Sequence, residues 1–395
     1  MSLTDSIKEM EGNYIVPTYK RVDVVFERGE GVYLYDIEGK KYIDFISGIA
    51  TIPLGHSHSI VTKAINEQAG KIINVSNLFY TKPQIELAKR LIEISGIRGK
   101  VFFSNSGAEA IETALKFVRK HTGKKGIIAA KNGFHGRTFG ALSATWKDKY
   151  RKPFEPLLSG FKHIHYNSLE QLRINIDEDT AAFIVEPIQG EAGVIVPANG
   201  YLKEAAQICA SKNVLFIVDE IQSCLGRTGK FFAFQYEELK PDIIVLAKGL
   251  SNGLPIGATI VKDCIANSIE VGEHGSTFGG NALCTYVGAK VVDYIIENGL
   301  QNNAIKVGNY FIKRLKEISK KHLLIKEIRG RGLMVAIELN DGSARDIVNE
   351  ALKNNLVINN TSETTLRFLP PLIITEEQID EAVCILDSII KKQEV

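Results

Sequence analysis

Short apolar runs alternate with amphipathic stretches through the middle of the chain. Residues 101–103, 126–130, 181–186, 214–219, 242–247 and 256–261 read as strands. Helical patterns separate most of them. Ile111, Ala114, Leu115 and Val118 recur at i, i+3, i+4 and i+7, the spacing of one helix face. Strands that are apolar on both faces need cover on both, so the alternation predicts an α/β fold with a mostly parallel sheet between helical layers. The ends differ. Residues 32–37 and 41–45 flank Glu38-Gly39-Lys40 and predict a hairpin. Beyond about residue 285 a long helical pattern runs through Val291, Tyr294 and Ile295. Strand-like residues 333–339 and 365–368 follow, then a last helix with Ile379, Ala382, Val383 and Leu386 on one face. These patterns predict a large domain over residues 51–285. A smaller α+β domain is expected from the two ends, residues 1–50 and 286–395.

Composition narrows the function classes. Of 395 residues, 45% are hydrophobic and 24% charged, as in globular proteins. The 48 basic and 46 acidic side chains leave a net charge of +2, with no basic excess to drive phosphate-backbone binding, which argues against nucleic acid. No apolar run approaches the ~20 residues of a membrane span. The first ten residues carry Asp5, Lys8 and Glu9 and no apolar core, so no signal peptide is expected. The five cysteines (Cys209, Cys224, Cys264, Cys284, Cys384) are scattered and form no CxxC, which predicts reduced thiols and a cytoplasmic chain.

Several short stretches carry candidate chemistry. Ser104-Asn105-Ser106-Gly107-Ala108-Glu109-Ala110 lies between a strand and a helix, where exposed N–H groups suit a phosphate or serve as a plain cap. Asp219 ends an apolar strand, where α/β folds place ligands, and a desolvated acid there needs a cationic partner. Lys248 ends the next strand among small neighbours, a setting for a Schiff-base amine or an ordinary loop lysine. Phe134-His135-Gly136-Arg137-Thr138 offers an aromatic face and a cation suited to a carboxylate. His274 to Asn281 form a small, hydroxyl-rich turn that suits a second phosphate contact or a cap. Gly249-Leu250-Ser251-Asn252-Gly253 matches G-x-S-x-G, but Pro255 and a strand follow where a hydrolase elbow needs a helix, so a serine hydrolase using Ser251 is a remote alternative. Gly226 to Lys230 fails as a P-loop because Cys224 and Phe231 occupy two of its fixed positions. His56 and His58 lack a third ligand at a familiar spacing, so no metal is expected.

Taken together and in order, these stretches resemble the class III pyridoxal-phosphate-dependent aminotransferases, most closely their acetylornithine branch. Glu186-Pro187-Ile188-Gln189-Gly190-Glu191, Asp219-Glu220-Ile221-Gln222, Gly226-Arg227-Thr228-Gly229 and Arg329-Gly330-Arg331-Gly332-Leu333 also match, as do Ser76-Asn77-Leu78-Phe79-Tyr80 and 366–372. The likeness runs from about Tyr19 to the C-terminal helix. It implies a fold type I homodimer with shared sites and pyridoxal 5′-phosphate as cofactor. Lys248 would hold the cofactor covalently and shuttle a proton, and Asp219 would pair with the ring nitrogen. Gly107 and Ala108 match the phosphate turn, Phe134 the ring-stacking aromatic and Gln222 a contact near the ring hydroxyl. Thr277 matches the phosphate contact from the neighbouring subunit, with Ser276 beside it. Arg137 and Arg367 match two carboxylate arginines, with Glu191 masking the second. Ile49 and Tyr19 are expected near the donor.

The implied reaction is ping-pong transfer of the δ-amino group of N2-acetylornithine to 2-oxoglutarate, a step of arginine biosynthesis. It would give N-acetylglutamate 5-semialdehyde and glutamate. Succinylornithine, ornithine and 4-aminobutyrate are alternative donors, and a cofactor-binding protein without turnover is the non-enzyme alternative. Ile49 and His135 stand where ornithine-specific relatives carry Tyr and Trp, which favours the acylated donor. Ile111, Cys224, Ser251-Asn252 and Ala282 depart from the usual residues without replacing a catalytic one.

Overall fold

The computed structural model describes residues 3–394. Met1 and Ser2, which open the N-terminal stretch considered above for a signal peptide, and Val395, which closes the C-terminal segment, lie outside the described residues. A seven-stranded sheet occupies the centre. Its strands run in the order Gly99–Ser104, Gly257–Lys262, Ile243–Leu246, Leu215–Asp219, Thr180–Val185, Gly126–Ala130, Phe161–Ile164. Gly257–Lys262 is antiparallel to both neighbours, and the other pairings are parallel. Every residue of Thr180–Val185 and Ile243–Leu246 is buried, as expected of strands covered on both faces.

Register positions the chemistry. Asp219 pairs with Val245, so Lys248 follows only three residues beyond Asp219's neighbour on the adjacent strand. Ile184 pairs with Ala129, which brings Glu186 and the loop after residue 130 to the same sheet edge. That carboxyl edge is where open α/β sheets bind ligands.

Two four-stranded sheets are built from the chain ends, and the first combines strands of both. Tyr33–Asp36 and Lys41–Asp44 form the expected hairpin, and Leu356–Val357 joins it in parallel, Leu356 opposite Ile43. The second sheet runs Ile325–Arg331, Met334–Leu339, Thr365–Phe368, Asn359–Asn360. Phe45, Phe311 and Phe368 pack edge to face at 5.4–6.4 Å and tie three distant stretches together. Each such aromatic pair contributes roughly 0.5–1.5 kcal/mol beyond its area. The long helical pattern after residue 285 is two helices, Ala282–Glu297 and Leu300–Ser319, broken where Gly299 turns left-handed at φ +60°. Among the strands that the patterning above omits are Phe26–Glu30 and Phe161–Ile164. Both are sheet edges carrying charged or imidazole side chains, so neither shows a clean apolar alternation. Among the described residues no helix is long and apolar enough to cross a membrane.

Candidate active site

A cavity of about 430 Å³ opens at the carboxyl edge of the large sheet, within the size range of cofactor sites. Lys248 and Asp219 line it from adjacent strand ends. Lys248 has φ +47°, a left-handed conformation that a non-glycine residue adopts only when its surroundings hold it there. Its amine has no hydrogen-bond partner among the described residues. Burial lowers its pKa, against the pull of the Glu191 carboxylate.

Asp219 is clamped. Its Oδ1 accepts from Ile221 N–H at 3.0 Å, and its Oδ2 lies 2.7 Å from Nδ1 of His135. His135 is 2% exposed, and its imidazole is the hydrogen-bond partner of this buried strand-end acid. Burial works against its charge, but Asp219, with Glu186 behind it, raises its pKa above the ordinary value. The expectation that His135 bears on donor choice therefore meets a ring already engaged with Asp219. Glu186 also lines the cavity, accepting from Phe134 N–H at 2.9 Å and Gly190 N–H at 3.1 Å. Burial pushes it up to about 7, with His135 opposing. In the sequence Glu186 stands out only as the first residue of Glu186-Pro187-Ile188-Gln189-Gly190-Glu191. An acid following a wholly apolar strand, just as Asp219 ends one, is the signal that marks it.

The opposite wall is a helix start. Ser106 caps Gly107–Thr122 by accepting from Glu109 N–H, while Glu109 Oε2 reaches back to Asn105 N–H. The N–H groups of Gly107 and Ala108 have no helical acceptor, because nothing lies a turn earlier, and both residues line the cavity. Side chains are excluded here: a Cβ on Gly107 would lie 2.9 Å from Ile221 Cδ1. Gly136, at φ +137°, passes so close that a Cβ would lie 2.8 Å from that of Ala108. Phe134 lines the same cavity, its ring edge to face with Tyr150. The exposed Arg137 guanidinium stands 3.7 Å over the Tyr150 ring and pairs with no carboxylate among the described residues.

Arg367 is 1% exposed on the strand beside the cavity. Its Nη1 donates to Glu191 at 2.5 Å, to Gly190 O at 3.3 Å and to Gln222 at 3.5 Å. Burial disfavours the Glu191 carboxylate, yet Arg367 and Lys248 outweigh it and hold its pKa low. Glu191 and Gln222 line the cavity.

Other expected residues stand apart. Ile49 and Tyr19 are exposed and do not line the cavity, although Thr51, two residues beyond Ile49, does. Ser276 accepts from Asn105 Nδ2 at 3.1 Å, while Thr277 is exposed. Ser251 is fully buried with its hydroxyl donated to Leu254 O at 2.7 Å, and it closes the 3₁₀ turn Lys248–Ser251, which leads to a strand rather than a hydrolase helix. His56 bonds Asp44, and His58 caps a helix.

A phosphate at the helix start, a basic ring nitrogen at Asp219 and a carbonyl at Lys248 describe one group that these residues fit. Residues 14–390 match the family described as aminotransferase class III. An acetylornithine aminotransferase of Archaeoglobus fulgidus is 46% identical over 96% of this chain and 98% of its own. The ornithine aminotransferase of Toxoplasma gondii, in a structure with PLP at partial occupancy in its active site, superposes with a TM-score of 0.95 at 35% identity, covering 99% and 95% of the two chains. The acetylornithine aminotransferase of Elizabethkingia anophelis gives 0.89 at 36% identity over 99% and 100%.

Proposed function

We propose that this chain, which belongs to the class III aminotransferases, moves the δ-amino group of N2-acetylornithine to 2-oxoglutarate, giving N-acetylglutamate 5-semialdehyde and glutamate. The observation that carries the reading is the unpartnered amine of the half-buried Lys248 beside the clamped Asp219. The relative at 46% identity supports the acylated donor.

Pyridoxal 5′-phosphate, when bound, supplies a carbonyl that exchanges amino groups and a ring that takes up an electron pair. The chain's residues do the rest. Lys248, its pKa lowered, holds the cofactor and moves the proton between two carbon atoms. Asp219, oriented by His135, keeps a proton on the ring nitrogen. Gly107 and Ala108 N–H groups hold the phosphate, Phe134 covers one ring face, and Gln222 sits by the ring hydroxyl. Arg137 holds the donor's carboxylate. Arg367 stays masked by Glu191 for the donor and is released for the second carboxylate of 2-oxoglutarate.

Thr277, Ser276 and the exposed Leu78, Phe79 and Tyr80 support a homodimer with shared sites. Asn77 donates to Ser276 O and Gly279 O, and Asn74 to Thr277 O, so these residues form one surface. An apolar patch of that kind marks an interface. We assign the smaller domain to residues 1–50 and 286–395 and the larger to 51–285, and the chain to the cytoplasm. Ile49, two residues before the cavity-lining Thr51, and Tyr19 are assigned to the donor side of the site.

The likeness to an ornithine aminotransferase at TM-score 0.95 favours ornithine as a second reading. The two donors differ only at the α-nitrogen, and an apolar Ile49 offers an ammonium nothing to offset its desolvation. N2-acetylornithine is expected to exceed ornithine by about 10²-fold in kcat/KM, and Ile49→Tyr to narrow the gap. A panel of N2-acetylornithine, succinylornithine, ornithine and 4-aminobutyrate with 2-oxoglutarate tests this. Equal kcat/KM for the first and third would overturn the assignment in favour of a general ω-aminotransferase.

A further inference from the structure

Two buried carboxylates follow apolar strands beside Asp219: Glu186 and Glu220. Glu220 faces away from the cavity, accepting from Phe234 N–H and Ser223 Oγ. Glu186 faces into it and spends each oxygen on a different segment of the site wall. The first N–H belongs to Phe134, the ring-facing aromatic. The second belongs to Gly190, whose carbonyl accepts from Arg367 and whose successor is Glu191. Gln222 packs directly on Gly190, where a Cβ would lie 2.0 Å from Gln222 Oε1. The Glu186 backbone is tied down as well, because the single Tyr166 Oη–H is shared between the carbonyls of Glu186 and Pro187, each at 3.0 Å.

We propose that Glu186 is a positioning residue, holding Phe134 with one oxygen and the Gly190–Glu191 turn with the other, so that the ring-covering aromatic and the Arg367–Glu191 pair keep one register across the cavity. The proposal rests on the aminotransferase reading above. Residue chemistry supports it. Two N–H donors face one side chain, and only a carboxylate accepts from both. An amide of the same shape would turn an NH₂ toward one donor and leave that N–H unpaired. A purely space-filling role would favour the amide, which avoids burying charge.

The test uses the cofactor-loaded protein with Glu186→Gln, Glu186→Asp and, as a matched buried acid outside the cavity wall, Glu220→Gln. Each half-reaction is followed by stopped flow, with the amino donor alone and then with 2-oxoglutarate alone. The visible circular dichroism of the bound cofactor is recorded alongside. Both Glu186 variants are expected to slow both half-reactions roughly 10- to 100-fold, the cost of small misplacement, and to change the dichroism. Glu220→Gln is expected to leave both unchanged. If Glu186→Gln does not fold, Glu186→Asp carries the test, because it keeps the charge but is too short to reach both N–H groups. Parent-like rates and dichroism in Glu186→Asp would overturn the proposal, as would an equal loss in Glu220→Gln. Absence of a cofactor band in the parent protein would instead overturn the function, separating the two failures.

Discussion

Lys248 combines two local features that a surface lysine lacks, a left-handed backbone and partial burial, and its amine has no hydrogen-bond partner among the described residues. Strain of this kind costs of order 1–3 kcal/mol and persists where the surroundings impose it. Lys248→Ala is expected to abolish covalent retention of the cofactor and to cut turnover at least ~10²-fold, since the proton shuttle goes with it. Gel filtration with visible absorbance and a turnover assay check both, and labelling of another lysine by borohydride would reassign the role. Acids at this scale also set a pH dependence. Burial raises Glu220 from 4.5 to about 7. Between those values the folded chain binds more protons than the unfolded one, so Glu220's contribution to stability falls as pH rises. Urea midpoints measured from pH 4.5 to 7 should fall less steeply in Glu220→Gln than in the parent.

At the scale of elements, the turn Ser47–Ala50 is the clearest case of structure imposed from outside. Ser47, Gly48, Ile49 and Ala50 all have φ between +46° and +63°. Left-handed residues other than glycine cost roughly 1–2 kcal/mol each, so the turn must be held. Asp44 Oδ1 accepts from Ile46 and Ser47 N–H, and Ser47 Oγ donates to Leu369 O at 2.6 Å. Leu369 lies two residues beyond Arg367, so the turn bearing Ile49 and leading to Thr51 is fastened next to the strand bearing the Arg367–Glu191 pair. Ser47→Ala is expected to lower stability by about 1–3 kcal/mol, the cost of an unpaired buried acceptor. It should also raise donor KM while cofactor absorbance stays. Unchanged urea midpoints would show that Asp44 alone holds the turn. Nothing in Ser-Gly-Ile-Ala announces a left-handed run. The strand-end residues Asp219 and Lys248, by contrast, were legible because an apolar run has a readable end.

For the whole molecule, the exposed apolar surface is the dominant feature. Tyr80 is 97% exposed, with Leu78 and Phe79 beside it and Thr277 on the same surface. If a second copy covers this face and completes the phosphate site, dissociation and cofactor loss are linked. Serial dilution followed by sedimentation velocity and cofactor absorbance should show both falling together. A monomer that keeps cofactor and full activity would refute the shared site.

The amino-acid pattern alone determined the sheet's central strands, the helices over them and the strand-end positions of Asp219 and Lys248. These follow from periodicity and apolar run length, which are local properties. The motif residues of the phosphate turn, Phe134 and Gln222 were legible because each sits in a short contiguous stretch. Tertiary structure alone decided that His135 clamps Asp219 and that Glu186 spans Phe134 and Gly190. It also decided that Ser251 is spent on a carbonyl. The physical reason is the same in each case. A buried polar group must find its partner in space, and the partner's distance along the chain leaves no periodic or compositional trace.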